Sequence, residues 1–280
     1  MVDYGQPVRF GVFLIPEATE RPLQQALVAD EVGFDVIGVQ DHPYQRRFFD
    51  TWTLLTAIAM RTERITVFPD VANLPLRPPA MLAKAAATLD ILSGGRLELG
   101  LGAGGFWPAI GAYDGPVRTP GESVSAMAEA IQVIRLLWSG QHGIRLDGHF
   151  YHLAGAHSGP LPAHPIGIWL GAYKPRMLSL VGRAADGWVP SYGQLKEPEL
   201  LEANARIDDA ARQAGRDPRM IRRVLNAGYM DAQQLVELVT NVGMDTFLVT
   251  DDPDEMRTFM AEVAPRVREE VESRRSRRAD

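Results

Sequence analysis

The chain has 280 residues, a formal net charge of -6 and 46% hydrophobic residues, with 26 Gly, 20 Pro and no Cys. That length makes one large domain or two small ones, with a core able to bury most of its apolar surface without covalent staples. Lack of cysteine excludes a disulfide framework, a thiolate metal site and a cysteine nucleophile, and mild acidity argues against the basic face of a nucleic-acid binder.

No window approaches the ~18 uninterrupted apolar residues of a membrane span. Residues 1–7 lack the basic-then-apolar order of a secretory leader. The expectation is a cytoplasmic protein with neither nucleic acid nor membrane as partner. Arginine outnumbers lysine 26 to 3, a bias of the source rather than of the chemistry.

Residues 9–15 are a short apolar run ended by Pro16, read as a buried strand. Residues 21–33 carry Leu23, Ala26, Leu27 and Val32 at helical spacing and stop at Gly33. Residues 35–40 are a second strand, 51–60 a helix and 65–71 a third strand. Residues 79–92 form a helix opened by proline and closed by Ser93-Gly94-Gly95. A strand over 97–101 precedes a long amphipathic helix over 121–138, with Met127, Ala130, Ile131, Ile134 and Leu137 on one face. The period falls to two over 141–153, which predicts a β-hairpin, and alternation then resumes. Strands fall at 168–170, 188–190, 223–227 and 246–249, and helices at 175–185, 197–214, 231–242 and 253–271.

Such alternation means a parallel sheet covered by helices. Eight repeats in this length match an α/β fold of the (β/α)8 TIM-barrel type, typically ~250 residues, with an open doubly wound sheet as the alternative. The expected layout is one barrel domain over 1–268, the hairpin inserted near 141–153, and a charged tail over 269–280, read as frayed with an interaction arm as the alternative.

In a barrel the chemistry sits on the loops after the strands. Past strand 2 come Gln40, Asp41, His42 and Pro43; past strand 3, Asp70, Val71, Ala72 and Asn73; past strand 4, Gly102, Ala103, Gly104, Gly105, Phe106 and Trp107; past strand 5, Gly171, Ala172, Tyr173 and Lys174; past strand 6, Pro190, Ser191 and Tyr192. The set suits a flat, partly apolar ligand with a charged tail. His42 is either a hydrogen-bonded structural residue or a functional one at the barrel mouth. The run Gly100 to Gly105 lacks a helix directly after it, which disfavours a dinucleotide loop. It is either an ordinary turn or a place where backbone approaches a planar ring. Lys174 and the following helix terminus either hold a phosphate or face solvent. His142, His149, His152 and His157 match no zinc spacing, so no metal site is expected. No G-x-S-x-G elbow is present.

Read together, these residues resemble the luciferase-like monooxygenase family, which includes reductases and dehydrogenases that use the deazaflavin F-420 (F420). The resemblance spans roughly residues 8 to 265. Its carriers are Thr62-Glu63-Arg64-Ile65, Leu74 through Pro79, Lys84, Leu89-Asp90, Leu92 through Arg96, Leu99 through Gly104, Arg135 through Trp138, Ile168 through Gly171, and Ala185 through Trp188. It implies a barrel holding F420 or FMN in its C-terminal mouth. Asp70 and Val71 would back the ring, in a segment where relatives often have a non-proline cis peptide. Gly102, Ala103 and Gly104 would line its edge, and Gly171, Ala172, Tyr173 and Lys174 would meet the phosphate of its tail. Asp41 and His42 match the family's strand-2 pair, with His42 as acid, base or hydrogen-bond donor. That pair leans the reading toward F420. Trp107 would wall the pocket; Trp188 is assigned to core packing.

This chain departs from the family pattern in three ways. It has little room between Asn226 and Asp231 for the insertion many members carry after strand 7. It has Ala172 where many have glycine, and it lacks the reactive cysteine of the luciferases, so bioluminescence is not expected. The expected function is oxidoreduction of a small organic substrate, by hydride transfer or monooxygenation. Self-association is implied, and with FMN a separate flavin reductase. The alternatives are a cofactor-binding protein of reduced catalysis and a metal-dependent barrel hydrolase.

Overall fold

The computed structural model describes residues 2–279. Eleven strands and ten α-helices alternate in chain order among them. The strands are β1 (Arg9–Leu14), β2 (Val36–Val39), β3 (Thr66–Pro69), β4 (Ala72–Asn73), β5 (Leu99–Gly102), β6 (Ile144–Asp147), β7 (His152–Ala156), β8 (Ile168–Leu170), β9 (Gly187–Trp188), β10 (Arg222–Asn226) and β11 (Thr246–Leu248). The helices are α1 (Pro22–Val32), α2 (Thr51–Ala59), α3 (Pro79–Ser93), α4 (Trp107–Ala112), α5 (Pro120–Leu137), α6 (Pro175–Ala184), α7 (Glu197–Gln213), α8 (Ala232–Glu237), α9 (Pro253–Thr258) and α10 (Ala264–Ala279). Single π-helical turns extend α8 and join α9 to α10.

Nine strands form one parallel sheet in the order β3-β2-β1-β11-β10-β9-β8-β5-β4. The two ends meet. Val67 donates to the Arg96 carbonyl at 2.9 Å, and Glu98 donates to the Val67 carbonyl at 3.0 Å. The sheet is therefore closed, which excludes the open doubly wound alternative. β3 and β4 are two pieces of one barrel position, so eight positions make up a (β/α)8 barrel. The expected continuous strand over 65–71 is broken at the cis peptide between Asp70 and Val71.

The lumen packs Val36, Phe68, Trp169, Val189, Val224 and Leu248. Glycines on the inner wall leave room for the rings: a Cβ at Gly187 would come within 2.5 Å of the Trp169 indole. Phe68 meets Trp169 edge-on, centroids 4.9 Å apart. The larger apolar layer lies between strands and helices, where α3, α5 and α6 bury their aliphatic faces. Helix ends follow the sequence signals: Gly33 and Gly94 take positive φ as C-caps, and Thr119 and Glu122 close a capping box on α5.

The hairpin β6–β7 lies three residues later than its expected start. Its turn is tied to α5 by Glu129, whose carboxylate accepts from the amides of His149, Phe150 and Tyr151. The Arg118 guanidinium lies against the Phe150 and Tyr151 rings. The expected frayed tail is helical through Ala279. Val267 and Val271 are buried at i, i+4 spacing, and Arg275 grips Asp3 through two hydrogen bonds of 2.8 Å. Asp280, the last residue of that tail, lies outside the described residues, as does Met1. No helix among the described residues is long and apolar enough to cross a membrane.

Candidate active site at the barrel mouth

The C-terminal ends of the strands bring together most of the residues singled out from sequence. At the end of β2, Asp41 is buried and spends its carboxylate on the protein. Oδ2 accepts from the Asn73 amide at 2.9 Å and from Arg77 Nε at 2.6 Å, and Oδ1 accepts from Arg77 Nη2 at 2.7 Å. Arg77 also reaches the Asp50 carboxylate at 2.7 Å. Burial alone would raise the Asp50 carboxyl, but Arg77 and the Thr53 amide and hydroxyl hold it below its ordinary value. Asp41 thus ties the β2 loop to the segment after β4, behind the mouth.

His42 is half-buried. Its ring stacks on Tyr44 with centroids 5.4 Å apart and planes 18° apart, and Tyr44 meets Phe106 edge-on at 5.7 Å. Burial pushes the imidazole below its ordinary value, and the Asp41 charge only partly opposes this. His42 is therefore neutral near pH 7 and able to accept a proton. Tyr44 and Phe106 complete an aromatic wall that spacing did not reveal, because they sit in different loops.

Val71 forms the platform of the mouth. A Cβ at Gly102 would meet Val71 Cγ2 at 2.6 Å, and one at Gly171 would meet it at 3.1 Å. At Gly100 it would run into the Pro69 carbonyl. These glycines therefore seat Val71. Gly104 has φ +90°, and a Cβ there would lie 2.8 Å from Pro75 and 2.9 Å from the Trp107 ring, so Trp107 packs on the turn. Ala103 packs partly buried against the core.

Ala172 is buried, and its carbonyl accepts from the Trp188 indole at 2.9 Å; the fully buried Trp188 is core, as expected. Tyr173 is partly exposed and donates to Ser191 Oγ at 3.2 Å. Lys174 caps α6 without a side-chain bond to it, and Pro175 at the first helical position removes one amide donor from that terminus.

Asp70 is buried, with its carboxyl over Gly38 of β2: a Cβ there would lie 2.9 Å from Oδ2. Burial pushes its pKa up to about 7, with the Asn226 side chain as the only group that lowers it. Asp70 Oδ2 and Asn226 Oδ1 are both buried without a hydrogen-bond partner. The Asn226 amide nitrogen lies 3.5 Å from Ser191 Oγ. Asn226, at the end of β10, was not singled out from sequence, although listing the residues at the end of the seventh barrel position would have found it. Arg77 carried no such signal: it pairs with a residue 36 positions away.

A platform of Val71 over bare glycines, orphaned buried oxygens and an aromatic wall fits a planar ring with polar edges. Lys174 at the rim fits an anionic tail.

Known proteins resemble this chain over most of its length. A family model described as luciferase-like monooxygenase matches residues 7–232. A 5,10-methylenetetrahydromethanopterin reductase of Archaeoglobus fulgidus is 32% identical over 213 residues, covering 75% of this chain and 60% of that protein. An F420-dependent glucose-6-phosphate dehydrogenase of Gordonia bronchialis is 30% identical over 212 residues, covering 71% of this chain and 61% of that protein. The chain thus spans about three fifths of the length of these relatives. Among solved structures, an F420-dependent secondary alcohol dehydrogenase in complex with an F420-acetone adduct superposes with TM-score 0.83 at 19% identity, covering 94% of this chain and 99% of that one.

Proposed function

The chain belongs to the luciferase-like monooxygenase family, and from that premise we propose that it is an oxidoreductase that binds F420 or FMN at the barrel mouth and acts on a small organic substrate. The observation that carries the reading is the platform of Val71 over Gly102 and Gly171, with His42 and its aromatic neighbours beside it. The names of the relatives favour F420. Bound there, F420 supplies hydride transfer, and reduced FMN also supplies oxygen activation. With FMN a separate reductase delivers the reduced ring.

Each side chain then has a task. Val71 backs the ring, and Gly102, Ala103 and Gly104 border it. Gly171, Ala172, Tyr173 and Lys174 meet the tail, through backbone at the first two and side chains at the last two. His42, neutral and half-buried, exchanges the proton that accompanies hydride transfer. Asp41 acts at one remove, holding Arg77 and the β2 loop. Self-association is part of this proposal; exposed Met81 and Leu92, eleven residues apart on α3 (Pro79–Ser93) and so on one side of it, are apolar surface that a second copy would cover.

Titrating the protein with FMN and with F420 and following ring fluorescence tests the reading. Micromolar-range binding of one ring is expected; binding of neither overturns it. Ring binding without turnover of alcohols, aldehydes or enones would instead favour a cofactor-binding protein of reduced catalysis.

A further inference from the structure

Asp70 is a buried carboxyl with no cation against it among the described residues, and the Asn226 side chain is the hydrogen-bonding neighbour that partly favours its anion. The groups that face it are Gly38 of β2, Phe68 of its own strand and Asn226 of β10, none of them ionisable. No charged side chain contributes to its shift. Asp41, at the end of the neighbouring strand, is committed to Arg77 and the Asn73 amide, and the next residue, His42, is held toward its neutral form. Neither cation therefore balances an Asp70 anion. A buried ionised carboxylate without a cation is strongly disfavoured, and the single Asn226 contact offsets only part of that cost. A proton on Asp70 turns an orphaned acceptor into a donor, and the Asn226 side chain, its hydrogen-bonding neighbour, carries an orphaned acceptor of its own.

A flat ligand laid on the Val71 platform, one residue along the chain, would cover the 7% of its surface that Asp70 still exposes. With no cation present, that covering disfavours the anion further.

We propose that Asp70 couples ring binding to a proton: the mouth closes over a ring only with Asp70 in its neutral, hydrogen-bond-donating form, so the protein takes up a proton when the ring binds in mildly alkaline solution. This rests on the reading of the mouth as a ring site. The residue acts as a positioning and binding group, and its proton comes from solvent and returns there on release.

The test is calorimetric titration with FMN and with F420 in buffers of differing ionisation enthalpy, on the wild type and on Asp70→Asn. At about pH 8 the wild type should take up close to one proton more per ring than the variant, and its affinity should fall about tenfold per pH unit over the range where that of the variant does not. The subtraction removes any titration of the ring itself. Equal uptake by the two proteins overturns the inference and leaves the ring site standing; failure of either ring to bind overturns both. Should Asp70→Asn fail to fold, the carbon-13 shift of the Asp70 carboxyl in ligand-free wild type decides. A midpoint near neutrality supports the proposal, and a midpoint in the ordinary aspartate range overturns it.

Discussion

Arg77 closes on Asp41 with two charge-assisted hydrogen bonds, 2.6 Å from Nε to Oδ2 and 2.7 Å from Nη2 to Oδ1, while the Asn73 amide takes up Oδ2 as well. The Asp41 carboxylate has no side-chain exposure, so removing its partner leaves a buried charge. Breaking such a pair costs about 3 kcal/mol. Arg77→Gln should lose stability of that order in urea unfolding, and Arg77→Lys should lose part of it, because an ammonium cannot reproduce the two-pronged geometry. Adding Asp41→Asn to Arg77→Gln should restore part of the loss. A double variant no better than Arg77→Gln would show that the pair is not the source.

His42 carries the prediction that bears on catalysis. Its imidazole is pushed below the ordinary value by burial, so it is neutral at pH 7 and gains a charge only as the pH falls below that value. Turnover that uses neutral His42 as proton acceptor should therefore fall on the acid side. The limb should be displaced below the usual histidine range and vanish in His42→Ala. Loss of a positioned acid–base group costs about 10²–10⁴ in rate. Ring affinity should change far less than kcat; an equal loss in both would make His42 a binding residue.

Asp70 makes a separate prediction about stability. Its folded value of about 7 lies above the ordinary aspartate value. Stability from this group is therefore fully present in acid and lost as pH rises between the two values, where the unfolded chain ionises and the folded one resists. Asp70→Asn should match the wild type near about pH 4 and exceed it above neutrality, by at most about 4 kcal/mol. Thermal melts of the two ligand-free proteins across that range give the comparison. A variant destabilised equally at all pH values would mean that the carboxyl holds the loop by contacts other than its proton.

At the other end of the barrel the pH dependence has the same sign but the opposite origin, a favoured cation in place of a disfavoured anion. His164 is raised by Glu98, whose Oε1 lies 3.8 Å from Nε2, and by Asp90, 2.7 Å from Nδ1; burial opposes both. The Asp90 contact is the shorter and better hydrogen bond, so we assign it the larger share. A raised histidine contributes stability that is complete below its unfolded value and disappears as pH rises through its folded value. His164→Gln should therefore melt earlier than wild type in mild acid, with the gap closing in alkaline solution. Ring binding should be untouched, because the group lies at the N-terminal ends of β5 and β8. A gap that stays constant with pH would point to packing.

Periodicity made the barrel legible. The apolar run of β1, the helical face of α5 and the glycine stops at Gly33 and Gly94 each follow from local physics. Contacts made across the fold did not show. The run over 65–71 reads as one strand, yet it breaks at Asp70–Val71, because its two halves pair with different neighbours, Thr66 to Pro69 with β2 and Ala72-Asn73 with β5. The tail reads as charged and frayed, yet Val271 and Arg275 dock it on the N-terminal arm. Asp41 and His42 are adjacent in sequence but diverge in space, the carboxylate to Arg77 and the ring to Tyr44, and spacing carries no record of that. The position of a residue at a strand end was the reliable signal, and applied to β10 it reaches Asn226.

The seat of Val71 is the part of the mouth most sensitive to a single methyl group. At Gly102 a Cβ would sit 2.6 Å from Val71 Cγ2, and at Gly171 the distance is 3.1 Å. Neither glycine is among those with positive φ, so an alanine at either position acts through crowding and not through the backbone. Overpacking costs about 1–3 kcal/mol, and here Val71, which faces the mouth, absorbs the displacement. Gly102→Ala should therefore weaken ring binding at least tenfold with a modest drop in melting temperature, and Gly171→Ala should do the same more mildly. Combining Gly102→Ala with Val71→Ala should relieve the clash and recover part of the stability. If Gly102→Ala binds the ring as wild type does, Val71 is not the platform on which the ring rests.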